Sequence, residues 1–372
     1  MTELRRHDFS VESDPGIRIF VRRVDRKEGS CRIPVLLMHG VRVPGIPSFD
    51  LDVENGSFAA DIAAVGHPVY IMDARGFGHS TRPGGLLPVA RSNEVVRDIR
   101  AVVEHIRKDT GSAQIACFGW ATGGHWLGCY SALYPDTISH IVFYITLYPA
   151  EADHPLLGHG SHLEDPERHG VFARAAHGAY VRTTREILLD WWNQSIPCED
   201  KSAWRDLVLV ERYVAAAMAS DVESAAGNQP CFRSPAGAME DSFYLATGHR
   251  FWDASLISAR ALVISAGRDF WARPSDRDKL VAGLVSARSV DVLDLPDSTH
   301  YAHLDRPQRG RTAILSAMLA FLADDGSLPV SPEVVQGQSA GASSIRPGAP
   351  IETPMHFHGA VAPQHSGRFD VD

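Results

Sequence analysis

The segment Phe118-Gly119-Trp120-Ala121-Thr122-Gly123-Gly124 reads as a strand that breaks into a glycine-bounded turn and continues as a helix. A turn written small-x-apex-x-small lifts its apex clear of both elements, and its strain excludes bulk at the flanking positions. An apex held that way is where a nucleophile meets a carbonyl carbon. Gly119 and Gly123 fill the two small positions, but the apex is Ala121, which has no atom able to attack. Thr122 does not replace it, because its side chain leaves the turn in another direction. The spacing therefore serves acyl transfer with the attacking group missing.

Two further landmarks accompany the turn. His39-Gly40 closes the apolar run Val35-Leu36-Leu37-Met38, and Asp73-Ala74-Arg75-Gly76-Phe77-Gly78-His79-Ser80 is a glycine-rich turn after the run Pro68 to Met72. With these features the chain resembles the α/β-hydrolase superfamily, from about Val35 to Leu322 apart from one insertion. The resemblance implies a chain order of nucleophile, acid, histidine. It points to Asp269, in Gly267-Arg268-Asp269-Phe270-Trp271, as the acid and to His300, in Ser298-Thr299-His300-Tyr301-Ala302-His303, as the histidine. Asp276, Asp294 and His303 are their rivals; Asp276 reads as helical, Asp294 precedes the turn, and His303 reads as a hydrogen-bonded support. In that chemistry the imidazole takes the nucleophile's proton, and the carboxylate fixes its tautomer and steadies its charge. The amides of Val41 and Thr122 are the implied oxyanion donors, and they survive the alanine. Asp73 and Arg75 are expected to tie their turn together.

The elements that must position these residues are legible as alternation. Val35 to Met38, Pro68 to Met72, Ala113 to Phe118, Ile141 to Tyr144, Ala261 to Ser265 and Val290 to Leu293 are short apolar runs of the kind that form buried parallel strands. Ser57 to Val65, ending at Gly66, and a segment capped by Ser92, with Val95, Val96, Ile99, Val102, Val103 and Ile106 on one face and Gly111 beyond, predict helices between them. Residues His125 to Leu133 and Gln308 to Leu322 predict two more. The expected fold is α/β: a mostly parallel central sheet with helices on both faces and an α-helical cap insertion. Its expected divisions are a first core part at 1–146, the cap at 147–249, a second core part at 250–325, and a Gly/Pro/His-rich tail at 326–372. Amphipathic pieces at Arg182 to Trp192 and Trp204 to Met218 mark the cap. The tail has too little apolar content to fold alone and is expected to be ordered only by docking.

At 372 residues with 44% hydrophobic content, the chain can bury one large core plus an insertion. A net charge of -9, with no long Lys or Arg run, argues against nucleic acid as a partner. No stretch of about 18 apolar residues and no apolar leader suggests a membrane or export, so a cytoplasmic protein with reduced thiols is expected. The five cysteines are scattered without a Cys-x-x-Cys pair. His154, His159, His162, His169 and His177 show no ligand spacing, so neither a metal nor another cofactor is expected.

The residues that could line a pocket are Trp120, beside the apex, and the cap pair Trp191-Trp192. With the cap aromatics Tyr213, Phe232, Phe243, Tyr244 and Trp252, they favour a medium-sized, largely apolar carboxylic ester or lactone as the small-molecule substrate. Contact between copies through cap or tail would make a homo-oligomer. Ala121 admits three readings: a serine-to-alanine inactive variant of a Ser-His-Asp hydrolase, a naturally nucleophile-free ligand binder or His-based general-base enzyme, or a structural role for a dead hydrolase.

Overall fold

A period of two sorts the central strands between two cores. In the computed structural model, which describes residues 3–30, 32–149 and 154–323, Val35, Leu37, Val69, Ile71, Ala116, Phe118, Val142, Tyr144, Leu262 and Ile264 face one hydrophobic cluster. Their neighbours Leu36, Met38, Tyr70, Met72, Ile115, Cys117, Ile141, Phe143, Ala261 and Val263 face the other. Strands buried on both faces read as continuous apolar runs, which is why the sequence shows them so clearly.

The chain opens with a hairpin, β1 (Leu4–Asp14) and β2 (Ile17–Arg26), and continues through β3 (Val35–Met38), α1 (Gly45–Phe49), α2 (Phe58–Ala64), β4 (Val69–Met72), α3 (Ser92–Thr110), β5 (Ile115–Trp120), α4 (Thr122–Leu133) and β6 (Ile138–Tyr144). An insertion follows: β7 (Glu164–Asp165), β8 (Arg168–Phe172), α5 (Arg174–His177), β9 (Tyr180–Thr183), α6 (Arg185–Ser195), α7 (Leu207–Ala219), α8 (Val222–Ala225), β10 (Phe232–Pro235) and α9 (Gly237–Ala246). The sheet then resumes with β11 (Arg260–Arg268), α10 (Pro274–Gly283), β12 (Val290–Thr299) and α11 (Arg311–Ala323). The eight strands of the main sheet run in the order β1-β2-β4-β3-β5-β6-β11-β12. Every pairing from β4 to β12 is parallel, and β2 meets β4 antiparallel. Helices α2 and α11 pack on one face, and α3, α4 and α10 on the other.

Three sequence expectations change. The amino-terminal hairpin was not anticipated, because charged residues interrupt its apolar ones and β1 is largely exposed; the turn Asp14-Pro15-Gly16, with Gly16 at φ 78°, was its signal. Ser92 does not cap α3: Arg91 is the capping residue, while the Ser92 hydroxyl turns inward to Asp241. The insertion carries α6, α7 and α9 but also two small antiparallel ribbons, β7-β8 and β9-β10, so it is not wholly helical. The tail from 326 onward lies outside the described residues. Among the described residues no helix is long and apolar enough to cross a membrane. Cys117, Cys129 and Cys231 are buried free thiols and Cys198 is a half-buried one.

Candidate active site

Strand β5 lies at the centre of the sheet and delivers the glycine-bounded turn at its carboxyl end. Ala121 stands between β5 and α4 with φ 50° and ψ -112°, a conformation that costs a residue with a Cβ on the order of 1–3 kcal/mol. Its amide donates to the Tyr144 carbonyl at 2.9 Å, which pins the apex to β6. The flanking glycines have no alternative. A Cβ on Gly119 would meet Gly124 Cα at 2.4 Å, and one on Gly123 would meet the Met38 carbonyl oxygen at 2.4 Å. Close passage of α4 under the end of β3 is what brings the apex to the loop that follows His39.

That loop is held by a histidine with a fixed tautomer. His39 is fully buried; Nε2 accepts from the Ala74 amide at 3.1 Å, so Nδ1 carries the proton and donates to the Gly40 carbonyl at 2.7 Å. Burial pushes its pKa down to about 4, so the ring stays neutral and welds the Gly40-Val41 loop to the turn after β4. Asp73 secures the same region by accepting from the Gly45 and His79 amides, while Arg75 pairs with Asp98 and Asp14. Neither Val41 nor Thr122 has an acceptor for its backbone amide among the described residues. The Thr122 amide opens α4, at the end of a helix where the dipole favours negative charge.

Asp269 and His300 come from the ends of the adjacent strands β11 and β12. His300 Nδ1 lies 2.6 Å from Asp269 Oδ1. The carboxylate is itself fixed by the Trp271 amide at 3.0 Å and the Ala272 amide at 2.8 Å, and its side chain is fully buried. With Nδ1 engaged, Nε2 is the nitrogen left to face the cleft. Phe270, Trp120 and Tyr301 pack around the imidazole with ring centroids 4.5, 5.4 and 5.1 Å away. The rivals are employed elsewhere: Asp276 caps α10 through Arg273, Asp294 bonds Ser265 and Arg277, and His303 is buried edge-on against Trp120.

Ala121, Val41, Trp120, Trp191 and His300 line one cleft together with Arg42, Tyr213, Phe270, Trp271 and Tyr301. Its cavity volume is about 60 Å³, so the cleft is a narrow slot. Trp191 stacks on Phe270 at 4.8 Å. Trp192, expected on the same wall, is not there. It is fully buried, stacked behind Tyr301, and its Nε1 donates to Asp305 Oδ1 at 2.8 Å. Tyr213, one of the cap aromatics the sequence offered, does line the cleft, whereas the sequence reading missed Arg42. Arg42 had a signal, as the sole Lys or Arg between Arg32 and Arg75, directly after His39-Gly40-Val41.

Asp305 makes the junction between insertion and core sensitive to pH. Burial pushes its carboxyl up to about 7, against the hydrogen bonds from Thr299 and Trp192. Because its folded-state pKa lies above the unfolded value of about 3.9, its contribution is fully present at low pH and lost as pH rises toward 7. Asp305→Asn is expected to flatten that decline, removing on the order of 3 kcal/mol of pH dependence between pH 4 and 7.5. Urea denaturation of both proteins across that range checks it; parallel curves would show that Asp305 is not the titrating group.

Two other clusters invite a chemical reading. Ser92 Oγ lies 2.8 Å from His125 Nε2 and donates to Asp241 at 2.6 Å. Trp252 Nε1 donates to His125 Nδ1, so the proton of the neutral ring sits on Nε2 and cannot be taken from Ser92. This trio is a packed polar network, not a second catalytic triad. On the β7-β8 ribbon, His159, Glu164 and His169 bring three possible ligand atoms within 4.8 Å of one another, an approach that their sequence spacing did not suggest. The Glu164 carboxylate there already accepts from the Gly160 and Gly170 amides.

A central parallel sheet, a strained apex after β5, and an Asp-His pair from the next strands in chain order define the class: this is an α/β-hydrolase-fold protein. A family model described as serine aminopeptidase, S33, matches residues 54–158, the stretch that contains the apex. Among solved structures, a serine-to-alanine mutant of the meta-cleavage product hydrolase from Pseudomonas fluorescens, complexed with acetates, is 15% identical with a TM-score of 0.55, over 86% of this chain and 98% of that one. A bromoperoxidase from Bacillus anthracis is 16% identical with a TM-score of 0.52, over 86% of this chain and 100% of that one. A thermophilic esterase from Thermogutta terrifontis is 16% identical with a TM-score of 0.51, over 86% and 98%. A search of curated proteins finds no match.

Proposed function

We propose that this chain carries the binding and charge-stabilising machinery of a carboxylic-ester or lactone hydrolase with its nucleophile replaced by alanine. The observation that carries the proposal is the apex: Ala121 is held in a strained conformation that nothing in its own side chain requires, in one cleft with an imidazole whose other nitrogen is fixed by a buried carboxylate. In this reading a serine at 121 would attack the carbonyl, His300 would take and return the proton, and Asp269 would hold the ring. The Val41 and Thr122 amides would receive the oxyanion. The likeness in fold to an esterase supports the reaction type. The slot shape and its Trp120, Trp191, Phe270 and Tyr301 walls favour a medium-sized, flat, largely apolar substrate.

The test is chemical. The unaltered chain should bind such an ester without turning it over, and an aryl phosphonate should label the Ala121→Ser protein at that residue alone. A folded Ala121→Ser protein that resists the phosphonate would end the hydrolase reading. Turnover by the unaltered chain that disappears in His300→Ala would point instead to a general-base enzyme. In the Ala121→Ser background, Trp191→Ala is expected to change the relative rates for short and long acyl groups by roughly tenfold, the scale of one or two methylenes in a pocket. Equal losses across a panel of p-nitrophenyl esters would place Trp191 outside substrate contact.

A further inference from the structure

The cleft holds one formal charge that the hydrolytic machinery does not use. Arg42 follows the Val41 position of the oxyanion loop, adopts φ 85°, and lines the cleft with Ala121 and His300. Among the described residues its guanidinium has no hydrogen-bond or ion-pair partner, and no Asp or Glu lines the cleft. Arg75, Arg91 and Arg311 pair with Asp98, Asp241 and Asp61, while the buried Arg205 bonds only Asn193 and lies over the Trp192 ring, away from the cleft lining. A half-buried cation at a cleft wall with no acid beside it is a ready partner for an anion from outside the chain.

The surroundings are built for an anion. The Tyr213 hydroxyl is fully buried, lines the same cleft and has no hydrogen-bond partner. Trp271 Nε1, on another wall, is likewise a buried donor without an acceptor. Tyr213 and Tyr301 lie close enough to Arg42 to feel its charge. His162, also on the cleft, is held toward its neutral form by burial, by His177 and by Arg42, so no second positive charge accumulates there.

We infer that Arg42 and Tyr213 form a subsite for a carboxylate, and that the ligand of this cleft is an ester or lactone carrying a free carboxylate group. The guanidinium fork matches a carboxylate in two parallel hydrogen bonds, and the phenol supplies a further donor. A phosphate dianion fits less well, since the narrow slot offers one cation for two charges. This inference rests on the ester-binding reading for the rest of the ligand, but Arg42 can be tested without catalysis.

The probes are a half-ester of an aromatic dicarboxylic acid, monomethyl terephthalate, and its neutral counterpart, dimethyl terephthalate. Binding to the unaltered full chain is followed by quenching of tryptophan fluorescence. The half-ester is expected to bind roughly tenfold to a hundredfold more tightly than the diester, as charge-assisted hydrogen bonds of this kind allow. Arg42→Met should erase the preference, and Tyr213→Phe should reduce it by a few-fold. If Arg42→Met fails to fold, the unaltered protein still decides, because the preference must vanish when the half-ester's own carboxylate is replaced by a carboxamide. Equal binding of half-ester and diester, or a preference that survives Arg42→Met, overturns the subsite. Hydrolysis of neutral esters by the Ala121→Ser protein without any carboxylate preference would sink the subsite and leave the hydrolase reading standing. Carboxylate-selective binding with no activity in that protein would do the reverse.

Discussion

Ala121→Ser should give an esterase, with turnover of p-nitrophenyl esters at least roughly a thousandfold above the unaltered chain. Loss of the nucleophile alone costs a Ser-His-Asp hydrolase on the order of 10⁶ in kcat, so restoring the hydroxyl to a preorganised site recovers a large part of that. The expectation depends on geometry already present. Ala121 holds its strained φ without the serine, the Asp269-His300 bond is formed, and the amides of Val41 and Thr122 are free to receive charge. His300→Ala in the Ala121→Ser background should return the rate to its starting value, and Asp269→Asn should remove most of the gain through the wrong tautomer. Steady-state kinetics of the four proteins decide the matter. A gain that survives His300→Ala would mean that the hydrolysis is not that of the triad.

Asp98→Ala should be the most damaging single change away from the cleft, costing about 3–5 kcal/mol, as expected when one partner of a buried ion pair is removed. Asp98 is fully buried on α3; it receives Arg75 Nε at 3.0 Å, an Arg75 terminal nitrogen at 2.7 Å and the Arg75 amide at 3.1 Å, as well as the Ser13 hydroxyl at 2.6 Å. Its loss strands an arginine side chain that is only 4% exposed, leaving Asp14 and Glu94 as its remaining charges. The damage should propagate, because the turn that Arg75 anchors also receives the His39 ring. Urea unfolding should show the lost stability, and ligand binding at the cleft should weaken in parallel. Unchanged denaturation midpoints would mean that Asp14 and Glu94 compensate fully.

The parts of this fold that were legible in sequence are those governed by local sterics and by burial on both faces. β3 was read at its observed bounds and β4 to within one residue, and the elbow glycines announced themselves because no other residue fits between Met38 and Gly124. Asp269 and His300, which the structure brings within 2.6 Å of each other, stand just past the ends of β11 and β12, where a sequence reading can place them. What was not legible depended on pairing across long distances. The β1-β2 hairpin is charged on its exposed side, and its strands are stabilised by partners such as Asp50 and Asp109 that lie far along the chain. Trp191 and Trp192 are neighbours on one helix, and a helix sends adjacent side chains about 100° apart, so one reached the cleft and the other the interior. Tyr213 and Arg42 line one cleft because the insertion folds back over the sheet, a juxtaposition that no local spacing encodes.

The elbow also has an evolutionary consequence. Its glycines are fixed by backbone atoms that would stand 2.4 Å from an added Cβ, well inside contact distance, so mutations there distort the turn itself. The apex is different: alanine and serine codons differ by a single base, and the two side chains differ by one oxygen. On the proposed reading, a lineage holding this sequence stands one nucleotide substitution from the composition of an active hydrolase. Gain and loss of activity at position 121 would then be a reversible genetic step, while any change at Gly119 or Gly123 would be a one-way exit from the fold's chemistry.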